Sequence, residues 1–60
     1  MEYSLVGIDG NAFSIMGYVI KAMRKEGKTK EEIDAYSGIA MSGDYDNLLS
    51  ASQTIIEELN

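Results

Sequence analysis

Asp9-Gly10-Asn11 constrains this chain more than any other feature, because the apolar pattern changes period across it. Before it, residues 2–8 alternate imperfectly, with Tyr3, Leu5 and Gly7 on one face and Ser4, Val6 and Ile8 on the other. After it, apolar residues return at three- and four-residue spacing, the signature of a helix face. The cluster is a turn with a mechanism. Gly10 admits positive φ, and Asp9 or Asn11 can accept from the free N–H groups that open a helix. Residues 6–17 therefore read as a strand-to-helix corner. Tyr, Val and Ile favour the strand that precedes it.

The first helix runs over residues 12–26, with Phe13, Met16, Val19, Ile20 and Met23 on its apolar side and Ser14, Tyr18, Lys21 and Lys25 opposite. Lys and Arg near its end suit the negative pole of the helix, and Gly27 stands where a terminating glycine belongs. Gly17, inside the helix, reads as a place where another element packs closely. Thr29-Lys30-Glu31-Glu32 is a capping box that opens a second helix bearing Ile33, Tyr36, Ala40 and, at its end, Ile39 and Met41. Ser42-Gly43-Asp44 punctuates that helix. Asp44 then caps a third, whose stripe of Tyr45, Leu48, Leu49, Ser52, Ile55, Ile56 and Leu59 is the cleanest in the chain.

The fold class expected is α+β: one short N-terminal β-strand followed by three α-helices, in a single domain spanning residues 1–60. At 60 residues such a chain buries only about 60% of the surface that it exposes when unfolded. Cys and His are both absent, which excludes disulfides and nitrogen–thiolate zinc sites, and oligomerisation is the remaining remedy. A lone strand points the same way, since its edges need a partner. The expectation is a homodimer in which the strand pairs with its own copy, with Tyr3, Leu5 and Val6 at the seam. The competing forms are a monomeric three-helix bundle and a dimer made through Leu48, Ile55 and Leu59.

The missing His and Cys also set the function classes. Groups that move protons or attack near neutral pH are absent, so an enzyme is the last choice, and no cofactor is expected. Asp44 and Asp46 have calcium-loop spacing at their start only: Leu49 holds the position that needs glycine, and no Glu stands twelfth. No metal is expected there. Gly7, Gly10 and Gly17 match no phosphate-loop spacing. The net charge is −5, and the five basic residues all fall between Lys21 and Lys30. Read as a helix-turn-helix, the second and third helices would offer the DNA a recognition helix with Asp44, Asp46, Glu57 and Glu58 and no cation, so nucleic acid is an improbable partner. No apolar run approaches the length of a membrane span, and a soluble cytoplasmic protein is expected.

The motifs Asp9-Gly10-Asn11-Ala12-Phe13 and Ser42-Gly43-Asp44-Tyr45-Asp46, with Gly17, Ala22, Arg24, Gly27 and the Leu48-Leu49 pair around them, resemble a group of small proteins encoded by bacteriophages and other bacterial mobile elements. Gly17 falls one residue later than in that group's pattern. The resemblance implies a phage or mobile-element origin, and hence the cytoplasm of a host cell; it supplies no activity. Both motifs read first as turns and caps. The functional alternative is that they lie together, with Asp9, Asn11, Asp44, Tyr45 and Asp46 forming a partner-binding surface. The function expected is that of a non-enzymatic interaction protein, a modulator or inhibitor of a bacterial host protein such as a defence-system component. A small-ligand-binding or sequestering protein is the alternative, and a nucleic-acid-binding regulator comes after it.

Overall fold

Three capped helices account for the fold, and each starts where a side chain can accept from the first free amides. In the computed structural model, which describes residues 3–60, these are α1 (Ala12–Lys25), α2 (Lys30–Ala40) and α3 (Tyr45–Leu59). Asn11 caps α1, Thr29 caps α2 and Asp44 caps α3. The capping box is complete: the Glu32 amide donates to Thr29 Oγ1 at 3.1 Å and the Thr29 amide to Glu32 Oε1 at 2.9 Å. At the end of α1, Gly27 takes φ +83°. The Lys28 amide then reaches the Met23 carbonyl at 2.9 Å, and the Gly27 amide the Arg24 carbonyl at 3.1 Å. These bonds satisfy carbonyls that the helix leaves open.

The core draws on all three helices: Met16, Val19 and Met23 from α1, Ile33, Tyr36 and Ala40 from α2, and Leu48 and Ile56 from α3. Within it, the hydroxyls of Tyr36 and Ser52 meet at 2.6 Å. Ser52 is fully buried, so this bond satisfies polar atoms that water cannot reach. The radius of gyration is 10.4 Å, matching the ~10 Å of a globular chain of this length. The helices thus cover one another within a single chain.

The expected α+β class is corrected. The described residues contain no strand, and the fold is all-helical. Glu2, the first residue of the expected strand, lies outside the described residues. Gly7 takes φ +84°, a left-handed conformation that ends any alternation, and the Ile8 amide closes a turn onto the Leu5 carbonyl at 3.2 Å. The donors that a ladder would have used are satisfied within the chain. The Tyr3 amide donates to Asn60 Oδ1 at 3.0 Å, the Ser4 amide to the Tyr18 hydroxyl at 3.0 Å, and the Val6 amide to Ser4 Oγ at 3.1 Å. Asn60 Nδ2 returns a bond to the Tyr3 carbonyl at 2.8 Å. The strand pairing expected at the seam is therefore absent: Tyr3 and Leu5 pack against the chain's own core, while Val6 is 89% exposed.

Three further expectations are corrected. The buried arc of α1 is Ile15, Met16, Val19, Ala22 and Met23. Phe13 falls about 120° from its centre on a helix of 3.6 residues per turn and is 73% exposed. Ile39 and Met41, expected on the apolar side of α2, are also exposed. Gly17 has no packing partner, since a Cβ there would meet nothing within 4 Å.

Candidate functional site

The start of α1, the end of α2 and the start of α3 meet at one end of the bundle, and local hydrogen bonds shape each of them. Asp9 Oδ1 accepts from the Asn11 amide at 3.2 Å, an Asx turn that aims Asn11 into the helix. Asn11 Oδ1 then accepts from the amides of Phe13 at 2.8 Å and Ser14 at 3.4 Å. Of the two candidate caps, Asn11 does the capping and Asp9 sets up the turn before it.

The second motif is built around the Ile39 carbonyl. It accepts from the Ser42 amide at 3.2 Å, from Ser42 Oγ at 2.8 Å and from Asn47 Nδ2 at 2.7 Å. Asp44 Oδ1 caps α3 through the Asn47 amide at 2.9 Å. Gly43 lies against Asn47 so closely that a Cβ would stand 3.0 Å from Asn47 Cβ. The small residue is what lets the loop fold back on the first turn of α3.

The two motifs lie together. The Tyr45 hydroxyl donates to the Gly10 carbonyl, joining residues 35 positions apart. Beside this bond runs a groove of about 270 Å³. Its floor includes Met16, Ala40 and Leu48, all buried, and its walls include Phe13, Met41 and Tyr45, which are 73%, 63% and 45% exposed. Asp44 stands on its edge. Asp9 and Asp46 are exposed nearby in sequence, one before the cap of α1 and one in the first turn of α3. Of the predicted residues, Asp44 and Tyr45 line the groove, Asn11 serves as a cap, and Asp9 and Asp46 lie outside its lining. Phe13 and Met41 are the lining residues that sequence reasoning misplaced, by assigning them to apolar helix faces turned inward. The signal in α1 was weak: on the helical wheel Phe13 lies at the edge of the apolar arc, next to Ile20, which packs against the core.

Charge divides the molecule. Between Tyr3 and Ile20 the only charged residue is Asp9, and between Ala35 and Ile56 the only ones are Asp44 and Asp46. The groove end therefore carries acids and no base. The cations lie towards the other end, on the last turns of α1 and the start of α2, where Lys30 pairs with Asp34 at 3.0 Å. There a second, smaller cleft of about 230 Å³ lies between Tyr3, Tyr18, Lys21 and Lys25. The Tyr3 hydroxyl donates to Glu26 Oε2 at 2.6 Å. That bond, then burial and the charge of Glu26, hold the Tyr3 phenol above its ordinary pKa.

Among the described residues no three Asp or Glu side chains converge to hold a metal ion, and no helix is long and apolar enough to cross a membrane. Comparison with protein-family models, curated proteins and solved structures gives no match to this chain.

Proposed function

We propose that this protein is a non-enzymatic interaction module that engages another protein through the groove between Phe13, Met41 and Tyr45. The observation that supports this reading is the exposure of Phe13 and Met41 beside a groove floored by core residues. Among the described residues nothing covers them, and contiguous exposed apolar surface rimmed by polar groups is how protein-binding sites usually present themselves. The absence of His and Cys supports a binding role over a catalytic one. The likeness of the two motifs to those of small phage and mobile-element proteins makes the target a bacterial host protein met in the cytoplasm, with a defence-system component as its most concrete form.

Affinity capture from a bacterial lysate tests this, with the unaltered chain and Phe13→Asp run side by side. Position 13 lies in the first turn of α1, where an acid suits the helix pole, so the variant should fold. A single protein recovered in stoichiometric amount by the first and lost by the second is the expected result. Equal recovery by both would place the contact elsewhere.

A second reading is a small-ligand binder: the cleft where Tyr3 and Tyr18 stand beside Lys21 and Lys25, at about 230 Å³, is too small to enclose a ligand but can hold one flat ring against its surface. Aromatic faces with adjacent cations suit a flat anionic ligand. Its test is the release of a nucleotide or similar anion from heat-denatured protein. Absence of any released ligand removes this reading.

A further inference from the structure

We infer that the partner's docking segment is cationic: an apolar anchor enters the Phe13–Met41–Tyr45 groove while lysine or arginine beside it faces Asp44, Asp46 and Asp9. This rests on the proposed protein-binding role and adds the chemistry of the occupant. The volume sets the anchor. At about 270 Å³ the groove falls below the ~300–1,000 Å³ typical of pockets that enclose a small molecule. It is also open, walled by side chains that are themselves largely exposed. Such a shape suits one or two large side chains projecting from a macromolecule, the usual form of an interface anchor.

Charge sets the rest. Every ionisable side chain of residues 4–20 and 35–56 that is charged at neutral pH is an aspartate: Asp9, Asp44 and Asp46. All three are exposed, and no lysine or arginine of those segments offsets them. The Tyr45–Gly10 bond fixes the two acid-bearing turns side by side. An acidic segment or a nucleic-acid phosphate approaching the groove meets repulsion, while a basic one is attracted. The same charges oppose a second copy docked groove to groove about a two-fold axis, because neither copy brings a cation from these segments to meet the other's acids.

The test uses three synthetic helical peptides that share one leucine face and differ in carrying lysine, glutamine or glutamate on the other, titrated into isotopically labelled protein and followed by NMR. The lysine peptide should shift the amide signals of Phe13, Gly43 and Tyr45. It should bind about tenfold more tightly than the glutamine peptide, as several exposed ion pairs together provide, and added salt should reduce the difference. Replacing Asp9, Asp44 and Asp46 together by Asn should abolish the preference. Asn caps a helix as well as Asp does, so α3 keeps its start. If the triple variant is unfolded, Asp9→Asn with Asp46→Asn, which leaves the cap untouched, gives the same readout in smaller measure. Equal affinities for the three peptides, with shifts at the groove, would overturn the cationic occupant and leave groove docking standing. Shifts elsewhere, or none, would overturn both. Light scattering that reports two chains, with Phe13 and Tyr45 signals broadened on concentration, would assign the groove to a second copy and overturn the proposal.

Discussion

The hydroxyl of Tyr45 donates to the carbonyl of Gly10, so the first residue of α3 holds the turn that leads into α1. The bond is the direct link between the two polar motifs, and it fixes one wall of the groove. Tyr45→Phe keeps the ring and removes the donor. An exposed neutral hydrogen bond contributes about 0.5–1.5 kcal/mol, and the freed carbonyl can return to water, so a loss near the lower end is expected in denaturant unfolding. The amide signals of Gly10 and Asn11 should move further than those of α2. An unchanged spectrum at those residues would mean that the turn is held by its own Asx geometry alone.

Gly7 separates the turn found here from the strand that its neighbours suggest. In a strand, Gly7→Val would add a favoured β-branched side chain. At φ +84° it instead forces a β-branched residue into the left-handed region, at a cost of about 1–2 kcal/mol. The expected result is a lower unfolding midpoint. A midpoint that rises would restore the strand and its paired dimer.

The capping box ties stability to acid. The Thr29 amide bond to Glu32 is the largest influence on the Glu32 carboxyl and holds its pKa below the ordinary value; the Thr29 hydroxyl and the charge of Lys28 act in the same direction, against a smaller effect of burial. A carboxyl whose pKa is lowered by folding adds stability above its unfolded pKa, and that contribution is lost as pH falls through the folded value. Thr29→Ala should cost about 1 kcal/mol at neutral pH through the lost cap. The difference between Glu32→Gln, which removes the titrating carboxylate, and the unaltered chain should in turn shrink as pH drops below the ordinary carboxylate range. A gap that stays constant with pH would show that the Glu32 half of the box contributes nothing.

The legible parts of this fold were those with local causes. Asn11, Thr29, Asp44 and Gly27 mark helix ends by chemistry that acts within a few residues, and each occupies its expected place. The third helix showed its stripe because Leu48, Ser52 and Ile56 repeat at one period and all are buried. Residues 3–8 were not legible. The amides of Tyr3 and Ser4 and the Tyr3 hydroxyl are held by distant partners, Asn60, Tyr18 and Glu26, which no local pattern announces. The site was half legible. Its turns are visible as motifs, but the bond between Gly10 and Tyr45 depends on how α1 and α3 pack. Phe13 was misplaced because an aromatic near an apolar stripe was counted into it.

Tyr36 and Ser52 offer the clearest test of how the core is specified. Their hydroxyls meet at 2.6 Å, Ser52 is fully buried and Tyr36 is 3% exposed. Burial raises the Tyr36 phenol above its ordinary pKa, and the bond to Ser52 draws it partly back. Ser52→Ala leaves the phenol hydroxyl buried without its partner, at a cost of about 1–3 kcal/mol. Tyr36→Phe should cost less, because the Ser52 hydroxyl can turn to the carbonyl one helical turn back. The double variant removes both polar groups together, and replacing both partners by apolar groups of similar shape is close to neutral. A double-mutant cycle read from denaturant midpoints should therefore give a double variant more stable than Ser52→Ala alone, with a coupling of about 1 kcal/mol. Strictly additive losses would mean that the two hydroxyls find other partners, and that packing alone sets the register of α2 on α3.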